Sequence, residues 1–306
     1  MSKKVIIGSR GSKLALVQAE LVMLQLKQVE SDLDIEIKKI VTEGDRNQVA
    51  NIEDVGEVGI FVKALEDALI KCEIDMAVHS LKDLPIVLPE QLSLIATTER
   101  CDPCDVLVAT APLMQLRPGA RIGTSSVRRS AQLKHLRPDL ETVRIRGNVD
   151  TRLRKVASGE IDGLLVAAAA MVRLGREKEI TEYLPEDYFV PAAGQGALGI
   201  EIRRDDKITA SIAATVNHLS TWIAITAERA FLAYLGGGCS APISCIAVTS
   251  EGLLKITGMI SDREGNNVIK GSLERDADNP VITGELLAKK MLREGAKEIV
   301  DKIRCR

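Results

Sequence analysis

Apolar residues at Leu14, Val17, Leu21, Leu24 and Val29 recur every three to five positions, which predicts an amphipathic helix over residues 13–28. A short apolar run, 4–7, precedes it, and Gly8-Ser9-Arg10-Gly11-Ser12 supplies the turn between them. The same grammar recurs downstream. Residues 34–41 alternate as a strand, 61–72 read as an amphipathic helix and 74–78 as a strand. Further strands are predicted at 92–97, 105–110, 121–123, 141–145, 163–170 and 200–203. Helices open at 127, cover 149–157, and span 207–216 and 221–235. Strands alternating with helices argue for an α/β architecture. Beyond residue 240 the pattern changes. Residues 243–248, 253–260 and 267–274 read as strands joined by short turns, an antiparallel meander covered by a last helix at 280–303. The expected fold class is therefore α/β followed by a small α+β unit. One stretch lacks periodicity: 42–59, rich in Gly, Asp, Asn and Glu, is a long loop of the kind that is a lid or partly disordered.

Composition narrows the function. A chain of 306 residues, 45% hydrophobic and 27% charged, is too long for one ordinary core and implies two or three domains. A net charge of −2 provides no global basic field, and 2% aromatics with a single Trp222 leave little to stack on bases, so no nucleic-acid partner is expected. Residues 1–7 contain no signal-like apolar core, and no uncharged apolar run of about 18 residues occurs. The expectation is a soluble, cytoplasmic protein with no membrane partner. The six cysteines, Cys72, Cys101, Cys104, Cys239, Cys245 and Cys305, do not make a disulfide framework in a chain this long. Cys101-Asp102-Pro103-Cys104 is a lone CxxC in a chain with three histidines, so no metal site is expected.

Charge is nevertheless uneven, with arginines gathered between Arg117 and Arg154. Thr124-Ser125-Ser126 ends one strand and opens a helix carrying Arg128 and Arg129. The next unit repeats the arrangement with Arg146-Gly147-Asn148 and Arg152. Each unit aims helix N–H groups, hydroxyls and guanidinium forks at one end of a sheet, which makes an anion site. Lysine would replace these arginines poorly, because the planar fork matches carboxylates and phosphates in pairs. Arg10, in the first strand–helix turn, is either a further bidentate donor or a surface side chain. Lys82 and Asp83 lie in His79-Ser80-Leu81-Lys82-Asp83-Leu84-Pro85, beyond the carboxyl end of a strand, where α/β sheets bind ligands. Asp83 there is either a general acid/base and stabiliser of a cation, or part of a solvated turn. His79 reads as a structural histidine.

Gly194 to Gly199 matches GxGxxG formally, but a strand follows it instead of a helix, which rejects a dinucleotide site and favours a flexible crossover. Three glycines, Gly236 to Gly238, stop the helix 221–235 and place Cys239 on a tight loop before Pro242. Cys239 is either a small buried cysteine or a thiol that carries a covalent group. Taken alone, the residues describe a binder of a multiply anionic small molecule held between two α/β domains. A non-enzymatic anion-binding protein and a phosphate-handling transferase are the rivals, and neither has a use for Cys239.

The blocks GSRGSKLALVQA, VTEGD, FVKALEDAL, DMAVHSLKDLP, RIGTSSVRRSAQL, RIRGNVDTRL, PAAGQGALGIE, TAERAFL and GGCSAPI, in that order, closely resemble the porphobilinogen deaminase (hydroxymethylbilane synthase) family. The likeness runs from about Ile7 to Ala247. It implies a transferase that condenses four porphobilinogen molecules head to tail, releasing ammonia, to give hydroxymethylbilane for tetrapyrrole biosynthesis. It implies a dipyrromethane cofactor on a loop cysteine, matching Cys239. Asp83 then matches the residue that contacts pyrrole nitrogens and assists proton transfer, with Lys82 beside it. Cofactor contacts match Thr124, Ser126, Arg128, Arg129, Arg146 and Gly147. Substrate contacts match Arg10, Ser12, Arg146, Arg152, Arg173 and Gln195. The implied fold is two doubly wound α/β domains resembling periplasmic binding proteins, 1–96 with 197–215 and 97–196, plus a small α+β domain, 216–306, carrying Cys239. The implied protein is a monomer. The sequence departs from the family pattern at Glu57 and Val58, where a lid lysine is usual, at Cys104, where a basic residue is common, and at Gly236, where a glutamate is common.

Overall fold

A computed structural model describes residues 4–40, 57–236 and 241–304. Most of the loop expected at 42–59, and Cys239 itself, lie outside the described residues. The chain divides into two compact units: Met1–Arg100 with Ala197–Trp222, and Cys101–Gly196 with Ile223–Arg306.

The strands in chain order are β1 (Lys4–Arg10), β2 (Asp34–Ile40), β3 (Met76–Ser80), β4 (Leu92–Thr97), β5 (Asp105–Ala109), β6 (Arg121–Gly123) and β7 (Glu141–Val143). They continue with β8 (Gly163–Ala167), β9 (Glu182–Leu184), β10 (Leu198–Arg203), β11 (Ile243–Ser250), β12 (Leu253–Ser261) and β13 (Val268–Asp276). The α-helices are α1 (Lys13–Val29), α2 (Glu57–Ile70), α3 (Val127–Leu136), α4 (Val149–Ala157), α5 (Ala168–Arg173), α6 (Lys207–Ala214), α7 (Leu219–Leu235), α8 (Pro280–Met291) and α9 (Lys297–Arg304).

The first unit is built on a five-stranded sheet in the order β2-β1-β3-β10-β4. β1 runs parallel to β2 and β3, while β10 returns antiparallel to β3 and β4. Val5, Ile7, Met76, Val78 and Ile200 point from the sheet into a core closed by Ala19, Val22 and Leu26 of α1. The buried face differs from the stripe expected at Leu14, Val17, Leu21, Leu24 and Val29: Leu21, Leu24 and Val29 are exposed, and the smaller Ala19 with Val22 and Leu26 faces the sheet instead. Ser12 caps α1 by accepting from Ala15 N at 3.3 Å, satisfying one of the helix's otherwise unpaired donors.

The second unit holds a mixed sheet, β7-β6-β8-β5-β9, and the antiparallel sheet β11-β12-β13. β6 is parallel to β7 and β8, whereas β5 is antiparallel to β8 and β9. The antiparallel sheet packs Ile256 and Ile260 against Phe231 of α7 and Leu287 and Met291 of α8. The two helices approach closely at Gly284, where a Cβ would lie 2.2 Å from the Ala227 carbonyl oxygen. Two helix-bearing mixed sheets and one small antiparallel sheet agree with the expected α/β and α+β classes.

Two element expectations need correction. The run 163–170 is not one strand: β8 stops at Ala167 and α5 begins at Ala168, because alanines suit either conformation and periodicity cannot separate them. The last helix is not continuous over 280–303. Gly295 sits at φ 112° and kinks the chain between α8 and α9, a conformation only glycine adopts cheaply.

Candidate functional site

In the first unit, the parallel pairing of β1 with β3 brings their carboxyl ends to one edge of the sheet. Arg10 is the last residue of β1, and Ser12 follows it as the cap of α1. Lys82 and Asp83 lie in a single 3-10 turn, Leu81–Asp83, directly after β3. That turn is tied down by Leu81 N donating to Ala197 O at 3.1 Å and Leu84 N donating to Leu81 O at 3.1 Å. Leu81 and Leu84 are buried, so Lys82 and Asp83 are held half-buried between two apolar anchors. Asp83 has no hydrogen bond or ion pair to any other side chain among the described residues. Below the turn, Gln18 Nε2 donates to Ser80 Oγ at 2.8 Å. His79 Nε2 lies 2.9 Å from Glu201 Oε2, with both groups buried. His79 is thus a structural histidine, as its sequence context suggests.

In the second unit, the carboxyl ends of β6, β7 and β8 share an edge. Thr124 and Ser126 follow β6. Thr124 Oγ1 accepts from Ser126 N at 3.2 Å, and Ser126 Oγ caps α3 by accepting from Arg129 N at 3.3 Å. Arg146 and Gly147 follow β7 and are exposed. Gly147 adopts φ 105°, and a Cβ there would meet Thr151 at 2.8 Å. Arg152 Nε donates to Gly147 O at 2.8 Å, folding this arginine back over the turn. Arg173 sits in the last turn of α5 and donates from Nη2 to Gly196 O at 2.6 Å. Burial pushes the Arg173 guanidinium below the ordinary arginine value. Four of the five arginines that the sequence singles out in this region therefore come from two strand–helix junctions of one sheet edge, and Arg173 ends the helix that follows a third strand, β8.

The structure adds a residue that the sequence pattern does not mark. β5 is antiparallel to β8, with Asp105 opposite Ala167, so the first residue of β5 lies at the carboxyl edge of its neighbours. Asp105 is fully buried. Its Oδ2 accepts from Arg128 Nη1 at 2.6 Å, and its Oδ1 accepts from Arg129 Nε at 2.8 Å and Gln195 Nε2 at 2.9 Å. Burial alone would raise the Asp105 carboxyl, but the charges of Arg128 and Arg129 outweigh it and hold the group well below the usual carboxylate range. Burial likewise pushes Arg128 down, and Asp105 opposes it. A signal was present in the sequence: one charged residue opens the otherwise apolar run DVLVA.

Gln195 also donates to Pro103 O at 2.7 Å. It lies between Gly194 at φ 75° and Gly196 at φ 92°, so the first two glycines of the formal GxGxxG serve a left-handed turn ahead of β10, and the third, Gly199, lies within that strand. Glu228 is a second buried acid missing from the sequence reading. It accepts from Gly194 N at 2.6 Å and Ala247 N at 2.7 Å, anchoring α7 to β11. The segment between those two elements contains Cys239, which lies outside the described residues. Gly236, at φ 63°, ends α7 as its glycine run predicts. In the CxxC, burial chiefly, with the Asp102 hydrogen bond, pushes the Cys104 thiol up to about 12, which makes it a poor nucleophile at neutral pH. Among the described residues, no group of three or more metal-ligating side chains occurs, and no single helix is long and apolar enough to cross a membrane.

Residues 5–211 match the family model "Porphobilinogen deaminase, dipyromethane cofactor binding domain", and residues 222–293 match its C-terminal domain. The porphobilinogen deaminase of Halalkalibacterium halodurans is 45% identical over 306 residues, covering 99% of this chain and 98% of that one. That of Carboxydothermus hydrogenoformans is 43% identical over 306 residues, with the same coverage of 99% and 98%. Among solved structures, the methionine-binding protein MetQ aligns over 70% of this chain and 89% of its own, at 12% identity and a TM-score of 0.44. Identity at this level over nearly the whole length shows that the chain belongs to the porphobilinogen deaminase family, the hydroxymethylbilane synthases, transferases of tetrapyrrole biosynthesis that condense porphobilinogen and use a dipyrromethane cofactor.

Proposed function

We propose that Cys239 is the attachment point of the dipyrromethane and that two strand edges supply its chemistry. The single observation that carries this reading is the convergence of Thr124, Ser126, Arg128, Arg129, Arg146, Gly147, Arg152 and Arg173 on one edge of the second unit's mixed sheet. Each pyrrole carries an acetate and a propionate, so a pyrrole oligomer needs many bidentate donors. Arg128, Arg129, Arg146 and Gly147, with the hydroxyls of Thr124 and Ser126, hold the cofactor carboxylates. Arg10, Ser12, Arg146, Arg152, Arg173 and Gln195 receive those of the substrate. When bound, the dipyrromethane supplies a tethered primer, which makes each later condensation effectively intramolecular.

Asp83 is the acid–base group, with Lys82 beside it. A half-buried carboxylate at the end of β3, fixed by a 3-10 turn and paired with no other side chain among the described residues, suits a pyrrole N–H. It stabilises the positive charge that develops as ammonia leaves. The domains are assigned as 1–96 with 197–215, 97–196 and 216–306. Each sheet falls within one of them, save that β4 runs on to Thr97. The enzyme works as a cytoplasmic monomer on porphobilinogen, without nucleic acid, membrane or metal partners. The described cysteines Cys72, Cys101, Cys104 and Cys245 are free thiols, in keeping with a reducing compartment.

Intact mass spectrometry tests the tether. The native chain is expected to carry the added mass of one dipyrromethane, and Cys239→Ser to lose it together with turnover. An unmodified mass in active native protein would overturn the assignment.

A further inference from the structure

The Asp105 cluster has an asymmetry that bears on how the arginines are presented. Two guanidinium groups and one carboxylate leave one net positive charge in a buried site. Arg129 turns most of its N–H groups to the protein. Its Nε donates to Asp105 Oδ1 at 2.8 Å, its Nη2 lies 2.6 Å from the same oxygen and its Nη1 donates to Leu165 O at 3.2 Å. Arg128 is used on one nitrogen only. Its Nη1 donates to Asp105 Oδ2 at 2.6 Å and to Val190 O at 2.8 Å. Its Nε and Nη2 have no partner among the described residues. Those two N–H groups form the side-on edge of the guanidinium fork, which matches a carboxylate in a bidentate pair.

The arrangement has a cost that stability alone does not explain. A buried ion pair of this kind is often replaceable by apolar residues of equal volume with no loss of stability. The remaining wall of the cluster is equally fixed: Gln132 Nε2 donates to Val190 O at 2.9 Å and Val190 N donates to Gln132 Oε1 at 2.7 Å, so the second acceptor of Arg128 is itself held. A guanidinium clamped at Nη1 by a carboxylate and a fixed carbonyl has a set plane and direction.

We infer that Asp105 is a positioning residue: it locks the Arg128 guanidinium with its Nε/Nη2 edge presented to one ligand carboxylate, and it neutralises one of the two arginine charges so that the cluster takes a single carboxylate. This rests on the reading that these arginines hold the carboxylates of the dipyrromethane.

The test uses the full-length enzyme, with Asp105→Asn and Asp105→Glu scored by intact mass for the covalent adduct and by thermal unfolding. Asp105→Asn is expected to lower the fraction of chains carrying the adduct by at least about tenfold, the scale of one charge-assisted hydrogen bond. Chains that retain the adduct should show a raised KM for porphobilinogen with kcat little changed. Asp105→Glu should recover most of the adduct. Should Asp105→Asn lack a cooperative unfolding transition, the double variant Asp105→Asn with Arg129→Gln restores a single buried positive charge and is measured in its place. It is expected to fold and still to lack the adduct. Adduct at the native level in any folded variant without the carboxylate overturns the inference. So does failure of both variants to fold, which would make Asp105 a support of the fold alone. A native chain that carries no adduct would instead break the underlying reading.

Discussion

Two aspartates stand at the ends of strands in the two units, and the protein treats them oppositely. Asp105 is fully buried, and both of its oxygens are occupied by Arg128, Arg129 and Gln195. Asp83 is half-buried on a one-turn helix and has no side-chain partner among the described residues. The first acid is committed to the protein's own arginines, while the second is the one proposed above to serve a ligand. The contrast follows from solvation. A carboxylate removed from water must be paired, so a group with no pair that remains near the surface retains the capacity to bind something else.

The largest effect expected from this comparison is on turnover. Asp83→Ala should reduce kcat by about 10²–10⁴-fold, the usual contribution of a positioned acid–base group. Its unfolding free energy should stay within about 0.5 kcal/mol of the native chain, as for a residue with few protein contacts. A large loss of stability with little loss of rate would make the two aspartates alike.

A smaller effect is expected on the acid limb of stability. The Asp105 carboxyl is lowered in the folded state by Arg128 and Arg129, against the effect of burial. A depressed folded value means that its stabilising contribution is complete above the ordinary carboxylate pKa of about 4 and declines as pH falls below it. Urea unfolding between about pH 6 and pH 3 should show this decline in the native chain and a shallower one in Asp105→Asn. Equal slopes in the two chains would place the coupling elsewhere.

The smallest effect concerns Glu66 of α2. Burial first, then the charge of Glu201, raises its carboxyl above the ordinary value, with His79 opposing. A raised folded value in an acid has the opposite sign. The destabilisation appears as pH climbs through the ordinary carboxylate range and persists above the folded value. Glu66→Gln should therefore raise the Tm at neutral pH more than at pH 4. No difference between the two conditions would remove this acid from the pH response.

Much of the site was readable before folding was considered. Gly236 to Cys239, Lys82–Asp83 and the arginine-bearing junctions announce themselves by residue type and by their position after strands. Other roles were invisible for local reasons. Ser12 and Ser126 read as ligand hydroxyls, and the structure adds that their oxygens accept from Ala15 N and Arg129 N as helix caps, which leaves each O–H as the donor for a ligand. The run 163–170 reads as one strand because alanine carries no periodicity that separates a strand end from a helix start. Gly295 breaks the last helix with a left-handed residue, which glycine permits but does not announce.

The sequence by itself determined the alternation of strands and helices, the antiparallel C-terminal sheet and the chemical types at the site. Those depend on periodicity, capping and turn chemistry, which act over a few residues. Only the tertiary structure decided that Asp105 meets Arg128 and Arg129, because that contact depends on the direction in which β5 runs beside β8. Strand direction is settled by pairing between segments far apart in the chain, so no local pattern encodes it.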